Sequence, residues 1–176
     1  GFKPELFEAK LIKKTGLAPL VVDAGEGREL VIRGTADRVD FYPAEDGETL
    51  YARVVDYKTG EKGFKYKDFR NGTALQLFIY LFTLCKMDKS KATSDLIRKA
   101  KKIEPASVMY LAMSLGKASA KTAVDTSTED KVLEAERKQI EDLIDRRGVF
   151  LDNDETINAQ GKDYLPKKGL NEEYFV

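Results

Sequence analysis

The residues best suited to chemistry in this sequence are two aspartates and a lysine. Asp56 and Lys58 follow the apolar pair Val54-Val55 and are separated by Tyr57. Because residues i and i+2 of a strand share a face, we expect the Asp56 carboxylate and the Lys58 amine to lie side by side. Asp37 follows a second strand-like run and supplies another carboxylate. Two carboxylates and an amine on one sheet face suit a hard divalent cation and a phosphodiester, so the pattern predicts a metal-dependent nuclease.

The chemistry of each residue suggests a division of roles. Asp37 and Asp56 are expected to hold Mg²⁺, which binds few carboxylates and keeps several waters, with the backbone carbonyl of Tyr57 as a further ligand. Lys58 is expected to orient or deprotonate the attacking water, or to stabilise charge on the phosphate. The alternative for Asp56 and Lys58 is an exposed acid and base at a strand end, without a catalytic role.

Four other polar residues accompany this set. Arg38 and Asp40 are expected on the opposite strand face from Asp37, either as a surface ion pair or, for Arg38, in DNA binding or support of the site. Gln76 and Tyr80 are four positions apart and therefore share one face of a predicted helix. Polar side chains in an apolar helix need partners, either within the core or in nucleic acid and the catalytic strands.

Residue types that are scarce or absent exclude several kinds of site. The chain has no histidine, which removes the Ser-His-Asp and Cys-His triads, so catalysis must rest on carboxylates, lysine and metal. Cys85 is the single cysteine, which excludes an internal disulfide and a cysteine-held zinc or iron–sulfur site within this chain. A lone thiol also suits a cytoplasmic protein.

Length and composition indicate one soluble globular domain over residues 1–176. No apolar run approaches the roughly 20 residues of a membrane span. The net charge of zero argues against a simple nucleic-acid-binding protein. Charge is nevertheless segregated, with bases in excess over residues 58–70 and 86–102 and acids in excess over residues 124–160. These runs are either solvated helix faces or a basic rim beside the site with an acidic far side.

The elements that must position the candidate residues follow from periodicity and turn signals. Residues 29–42 are predicted to form a long strand that carries Asp37, residues 43–47 a hairpin turn, and residues 49–57 the antiparallel return strand that carries Asp56. Other predicted strands cover residues 6–12, 21–22 in the same sheet, 106–113 and the short apolar run 149–151.

Three helices are predicted. The first covers residues 72–85, with an apolar stripe formed by Leu75, Phe78, Ile79 and Phe82. The second is basic and amphipathic, over residues 88–102. The third covers residues 128–147, where two acids after Thr128 favour a helix start. Residues 161–176 have turn chemistry and little periodicity.

Three segments together resemble a known family. They are Gly34-x-x-Asp37-Arg38-Val39-Asp40, Val55-Asp56-Tyr57-Lys58-Thr59-Gly60 and Gly72-x-x-x-Gln76-Leu77-x-x-Tyr80. In this order they are similar to the PD-(D/E)XK nucleases of the RecB type, with the closest likeness to the C-terminal nuclease domain of AddB, which is part of the bacterial AddAB helicase–nuclease. Residues 105–110, 147–151 and 164–166 extend the resemblance over nearly the whole chain.

The resemblance implies a fold, an activity and partners. The expected fold is an α/β (α+β) restriction-endonuclease-like domain, a mixed central sheet flanked by helices. Asp37 and Asp56 match the metal-binding acids, Lys58 the catalytic lysine, and Gln76 with Tyr80 the motif that follows the active site. The implied activity is cleavage of single-stranded DNA, unwound from a broken end in recombinational repair, with Mg²⁺ or its substitute Mn²⁺. The implied partners are that DNA and an AddA-type helicase–nuclease subunit.

The sequence departs from this family in two ways. The family has a histidine ligand in an upstream helix, and its AddB members often hold an iron–sulfur cluster through cysteines that flank the nuclease core. This chain has neither feature, so we expect it to be a fragment of a larger subunit, in which such a cluster would reside. The competing interpretations are a non-catalytic module of the same fold that binds DNA or a helicase partner, and a CRISPR-associated RecB-like nuclease.

Overall fold

The structure, a computed structural model, describes residues 1–59, 71–72, 75–112, 146–151 and 153–160. The described strands are β1 (Lys3–Lys10), β2 (Leu20–Asp23), β3 (Glu29–Ile32), β4 (Thr35–Pro43), β5 (Thr49–Lys58), β6 (Lys102–Ala112) and β7 (Arg146–Phe150). The described helices are α1 (Gln76–Cys85), α2 (Asp95–Lys99) and α3 (Asp154–Gln160), with 3₁₀ turns at Lys13–Thr15 and Lys89–Lys91.

Five strands form one mixed sheet in the order β1-β4-β5-β6-β7. β5 and β6 pair in parallel, whereas the other neighbours in this sheet are antiparallel. The middle strand β5 is buried along most of its length, as expected for a strand whose two faces are both covered. The predicted fold class, a mixed central sheet flanked by helices, is confirmed.

The predicted hairpin between β4 and β5 is confirmed. The backbone N–H of Ala44 donates to the carbonyl of Thr49 at 2.9 Å and closes the turn, in which Gly47 adopts a φ of 70°. Arg38 pairs with Val55 and Asp40 with Arg53 along the two strands. The predicted strands over residues 6–12 and 106–113 correspond to β1 and β6, although β1 ends at Lys10 and β6 begins at Lys102.

Helix α1 covers one face of β5 and β6. It buries Leu77, Leu81 and Leu84 against sheet residues that include Val54 and Val108. No helix within the described ranges is long and apolar enough to cross a bilayer.

The predicted apolar stripe and start of α1 are wrong. The stripe does not face the core: Leu75 is 38% and Phe82 53% exposed. The helix begins at Gln76, because Gly72 lies in a turn with a φ of 76°, a conformation that ends regular helix geometry. The predicted end at Cys85 is confirmed.

The prediction of one long strand over residues 29–42 is also wrong, as is the placement of Val21 and Val22 in the main sheet. β2 pairs with β3 in a separate two-stranded sheet, because the intervening turn folds the chain back locally. The chain leaves that sheet at Arg33 and Gly34 before β4 begins. There the carbonyl of Gly34 accepts a hydrogen bond from the backbone N–H of Leu11 at 2.9 Å, which fixes the junction.

The predicted basic helix over residues 88–102 is replaced by the 3₁₀ turn, the short helix α2 and the start of β6. The Asp88 carboxylate accepts hydrogen bonds from the backbone and the hydroxyl of Ser90, and Ala92 is extended, so the helix is interrupted. Residues 128–145 of the third predicted helix lie outside the described residues. Arg146 and Arg147 lie in β7 and pair with β6, so the predicted helix end at residue 147 is wrong.

Candidate active site

The two candidate aspartates lie on neighbouring strands at the open end of the β4–β5 hairpin. Arg38 pairs with Val55, and one further step along this antiparallel register places Asp37 opposite Asp56 on the same face of the sheet. Asp37 Oδ2 also accepts a hydrogen bond from the backbone N–H of Tyr57 at 2.9 Å. The structure thus brings together the two carboxylates that the sequence singles out.

Asp56 and Lys58 form an ion pair on this face. Asp56 is 7% exposed, and its Oδ2 receives no hydrogen bond in the described part of the chain, although the Lys58 ammonium lies close to it. A buried carboxylate oxygen without a hydrogen bond is costly, and a cation at that oxygen would remove the cost. The site therefore fits a hard divalent cation on the evidence of its own unsatisfied oxygen.

The ligand set offered by side chains is small. Across residues 1–59, 75–112 and the two short C-terminal ranges, no group of three or more His, Cys, Asp or Glu side chains could hold a metal. Asp37 and Asp56 would need the carbonyl of Tyr57 and water to complete a coordination shell. Mg²⁺ accepts such a shell, because it retains several waters when bound to proteins.

Tyr110 lies beside this site and was not predicted from the sequence. The parallel pairing of β5 with β6 places Tyr110 next to Asp56, and its ring centroid is 5.5 Å from the Lys58 ammonium nitrogen. Alternation along β6 identifies Tyr110 as sharing a face with Val108. The pairing partner of β6 is distant in sequence, so no local signal places Tyr110 beside Asp56.

Gln76 and Tyr80 interact as a pair on α1. The Gln76 side-chain amide donates to the Tyr80 hydroxyl at 2.7 Å. Tyr80 packs against Gly34 so closely that a Cβ at this glycine would lie 2.2 Å from the hydroxyl oxygen. The pair lines a cleft of about 320 Å³, together with Arg33 and Gly72. Core hydrogen bonding and a surface accessible to a ligand therefore coexist at these two residues.

Arg38 lies on the other face of the sheet from Asp37. Its guanidinium donates to both carboxylate oxygens of Asp40, at 2.6 and 2.7 Å, and to the Tyr57 hydroxyl at 3.2 Å. Asp40 is fully buried, so the predicted surface ion pair is wrong. The hydrogen bond to Asp40 raises the pKa of Arg38 above its ordinary value and keeps the side chain charged.

Asp40 belongs to a larger buried network that the sequence did not indicate. Arg53 also donates to Asp40 and, through Nη1, to the side-chain oxygen of Gln160 at 2.7 Å. The amide nitrogen of Gln160 donates to the Ser107 hydroxyl at 3.1 Å. The network joins β4, β5, β6 and α3 behind the candidate site.

Comparison with known proteins gives a family match. The family described as the PD-(D/E)XK nuclease superfamily matches residues 1–159. This range contains Asp37, Asp56 and Lys58, the three candidate catalytic residues.

Curated relatives share one name, that of the AddB-type component of an ATP-dependent helicase/deoxyribonuclease. The relative from Clostridium acetobutylicum is 32% identical over 113 residues, 64% of this chain and 9% of the relative. The relative from Symbiobacterium thermophilum is 42% identical over 69 residues, 39% of this chain and 6% of the relative. The relative from Alkaliphilus oremlandii is 27% identical over 147 residues, 84% of this chain and 11% of the relative. The chain thus spans about a tenth of the length of these proteins, or less.

Proposed function

The chain belongs to the PD-(D/E)XK nuclease superfamily, and on that premise we propose that it is a Mg²⁺-dependent deoxyribonuclease domain, with Mn²⁺ as a substitute ion. Its proposed substrate is single-stranded DNA unwound from a broken end. Its proposed setting is an AddAB-type helicase–nuclease of the cytoplasm that acts in double-strand-break repair by recombination, with an AddA-type subunit as partner. The shared name of the curated relatives supports this setting.

One observation carries the proposal. Asp37, Asp56 and Lys58 meet on one face at the end of a single hairpin, and a buried oxygen of Asp56 has no hydrogen bond in the described structure. A sheet that needed only stability would gain little from two facing carboxylates, because like charges directly opposite one another destabilise a strand pair. A divalent cation between them converts this repulsion into attraction.

The residues of the chain have distinct roles in the proposed reaction. Asp37 and Asp56, with the Tyr57 carbonyl, would hold the ion. When bound, the ion supplies positive charge that stabilises the developing charge on the scissile phosphate. Lys58 emerges two residues after Asp56 on the same face, so its ammonium can donate hydrogen bonds to the attacking water or to a phosphate oxygen. Asp56 restrains the lysine through their ion pair.

The decisive variant is Lys58→Ala in the full-length subunit, with the nuclease of its partner inactivated. Cleavage of labelled single-stranded DNA should slow by about 10²- to 10⁴-fold, the usual contribution of a positioned acid–base group, while DNA binding persists. Lys102→Ala is the matched control, because Lys102 is an exposed lysine that pairs with Thr49 at the opposite end of β5. Near-normal cleavage by the Lys58 variant would contradict a catalytic role.

A non-catalytic module that binds DNA or a helicase partner is the second candidate. It is favoured by the absence, among the described residues, of a group of three metal-binding side chains. Calorimetric titration of Mn²⁺ into this chain separates the two candidates. Binding that is lost in Asp37→Asn and Asp56→Asn supports the nuclease, whereas the absence of binding supports the module.

A further inference from the structure

The recorded register between β4 and β5 ends just before the candidate site. Its last pair is Arg38 with Val55, although β5 continues to Lys58. Beyond that pair, the structure connects the two strands through the Asp37 carboxylate, which accepts from the Tyr57 backbone N–H at 2.9 Å. The position of the Tyr57 peptide therefore determines where the Asp37 carboxylate lies relative to Asp56.

The side chain of Tyr57 extends to the opposite face, where its hydroxyl accepts a hydrogen bond from Arg38 Nη1 at 3.2 Å. Arg38 directly follows Asp37 in the sequence. Two consecutive residues of β4 thus hold Tyr57 from opposite sides of the sheet, Asp37 through its backbone and Arg38 through its hydroxyl.

The Arg38 guanidinium is itself held in place. It binds both oxygens of the fully buried Asp40, at 2.6 and 2.7 Å, in a two-point geometry that fixes the plane of the group. Arg53 Nε donates to the same carboxylate at 3.0 Å. Arg38 cannot leave Tyr57 by rotating without breaking a buried charge pair, and such a break is strongly unfavourable.

We propose that Arg38, held by Asp40, is a positioning residue that fixes Tyr57 from behind the sheet and thereby sets the spacing of the Asp37 and Asp56 carboxylates for a divalent cation. This inference rests on the proposed nuclease function. Groups that orient metal ligands without touching the metal typically change affinity by about 10- to 100-fold when removed. Arg38 acts here through Tyr57 and touches neither the ion nor the substrate.

The test is a titration of Mn²⁺ into the 176-residue chain, followed by calorimetry. Tyr57→Phe removes the hydroxyl and keeps the ring, and it should weaken Mn²⁺ binding by about 10-fold. Tyr51→Phe is the matched control, because Tyr51 lies on the same strand and the same face and is distant from Asp37. Its Mn²⁺ affinity should equal that of the parent.

A second variant tests the coupling between the two residues. Arg38→Lys keeps the charge but cannot bind Asp40 at two points and Tyr57 at once, so it should weaken Mn²⁺ binding to a similar extent. The double variant with Tyr57→Phe should bind no more weakly than either single variant, because both changes break the same contact.

The outcomes separate positioning from a merely structural role. Variants that melt at a lower temperature but bind Mn²⁺ as tightly as the parent would overturn the inference, as would additive losses in the double variant. Failure of the proposed function has a different signature: Mn²⁺ binding that survives Asp37→Asn and Asp56→Asn, or no Mn²⁺ binding by the parent chain. Either result would overturn the function and the inference that rests on it.

Discussion

At the scale of single residues, Lys58 has two interactions of different kind. It forms an ion pair with Asp56 and lies 5.5 Å from the centroid of the Tyr110 ring. A cation bound at Asp56 would compete with the lysine for the carboxylate, whereas the contact with the ring would remain. Tyr110 can therefore keep the ammonium over the site when Asp56 is engaged by metal.

This arrangement predicts different effects for two substitutions of Tyr110. Tyr110→Leu removes the ring and should lower the single-turnover cleavage rate at saturating Mn²⁺ by about 2- to 5-fold, which corresponds to a cation–π contact of about 0.5–1 kcal/mol. Tyr110→Phe keeps the ring and should cleave at nearly the parent rate. Equal loss in both variants would show that the hydroxyl matters and the ring does not.

The candidate site is predictable from the sequence only where its geometry is local. Asp56 and Lys58 share a face because strands alternate, and Asp37 joins them because a short turn connects β4 to β5. Tyr110 and Gln160 reach the site and the buried network through pairings that are distant in sequence. Such pairings depend on the packing of the whole domain, which local patterns do not contain.

At the scale of secondary structure, α1 illustrates why a helix can be predicted while its buried face is not. The helix is apolar on most sides, so two stripes with helical spacing are present. One contains Leu77, Leu81 and Leu84, which pack on the sheet, and the other contains Leu75 and Phe82, which are exposed. Periodicity identifies both stripes equally, and only the surface presented by β5 and β6 selects between them.

The turn of the catalytic hairpin gives a prediction about pH. The Asp46 carboxylate accepts hydrogen bonds from the Thr49 hydroxyl at 2.6 Å and from the backbone N–H groups of Thr49 and Glu48 at 2.7 and 2.8 Å. These bonds, with the hydroxyl the largest cause, lower the pKa of Asp46 to about 2. The stabilisation they give is fully present above the ordinary aspartate pKa of about 3.9 and is lost as pH falls through about 2.

Asp46→Ala should therefore lower the melting temperature at pH 7, and its difference from the parent should shrink as the pH falls from about 5 towards 2. Circular dichroism melts of both proteins across this range provide the measurement. Glu45→Ala changes a neighbouring acid in the same turn and serves as the control. A difference between Asp46→Ala and the parent that does not vary with pH would contradict this account of the turn.

At the scale of the whole molecule, the described residues supply two side-chain carboxylates to the candidate metal site, and the chain contains no histidine. Its net charge is zero. Non-specific DNA affinity arises from neutralisation of phosphates by lysine and arginine, so a chain with no excess of bases gains little from this term. Residues 60–70, which contain much of one basic run, lie outside the described residues, and the predicted basic rim stays a prediction.

We accordingly expect the 176-residue chain alone to be a weak nuclease that needs millimolar metal. The measurement is incubation of the purified chain with end-labelled single-stranded DNA over a series of Mg²⁺ and Mn²⁺ concentrations, with Asp56→Asn as the inactive control. Rapid, processive degradation at sub-millimolar Mg²⁺ would instead mean that the site is complete within this chain.

The β4–β5 hairpin has a further consequence for how the domain folds and diverges. Asp37, Asp56 and Lys58 all belong to it, and so do the positioning residues Arg38 and Tyr57. Strands joined by a short turn pair early during folding because little loop entropy opposes them, whereas the parallel pairing of β5 with β6 must close a long loop. The geometry of the site is thus encoded in one short, continuous piece of chain. Insertions and substitutions can accumulate in the surrounding elements while that piece is inherited as a unit.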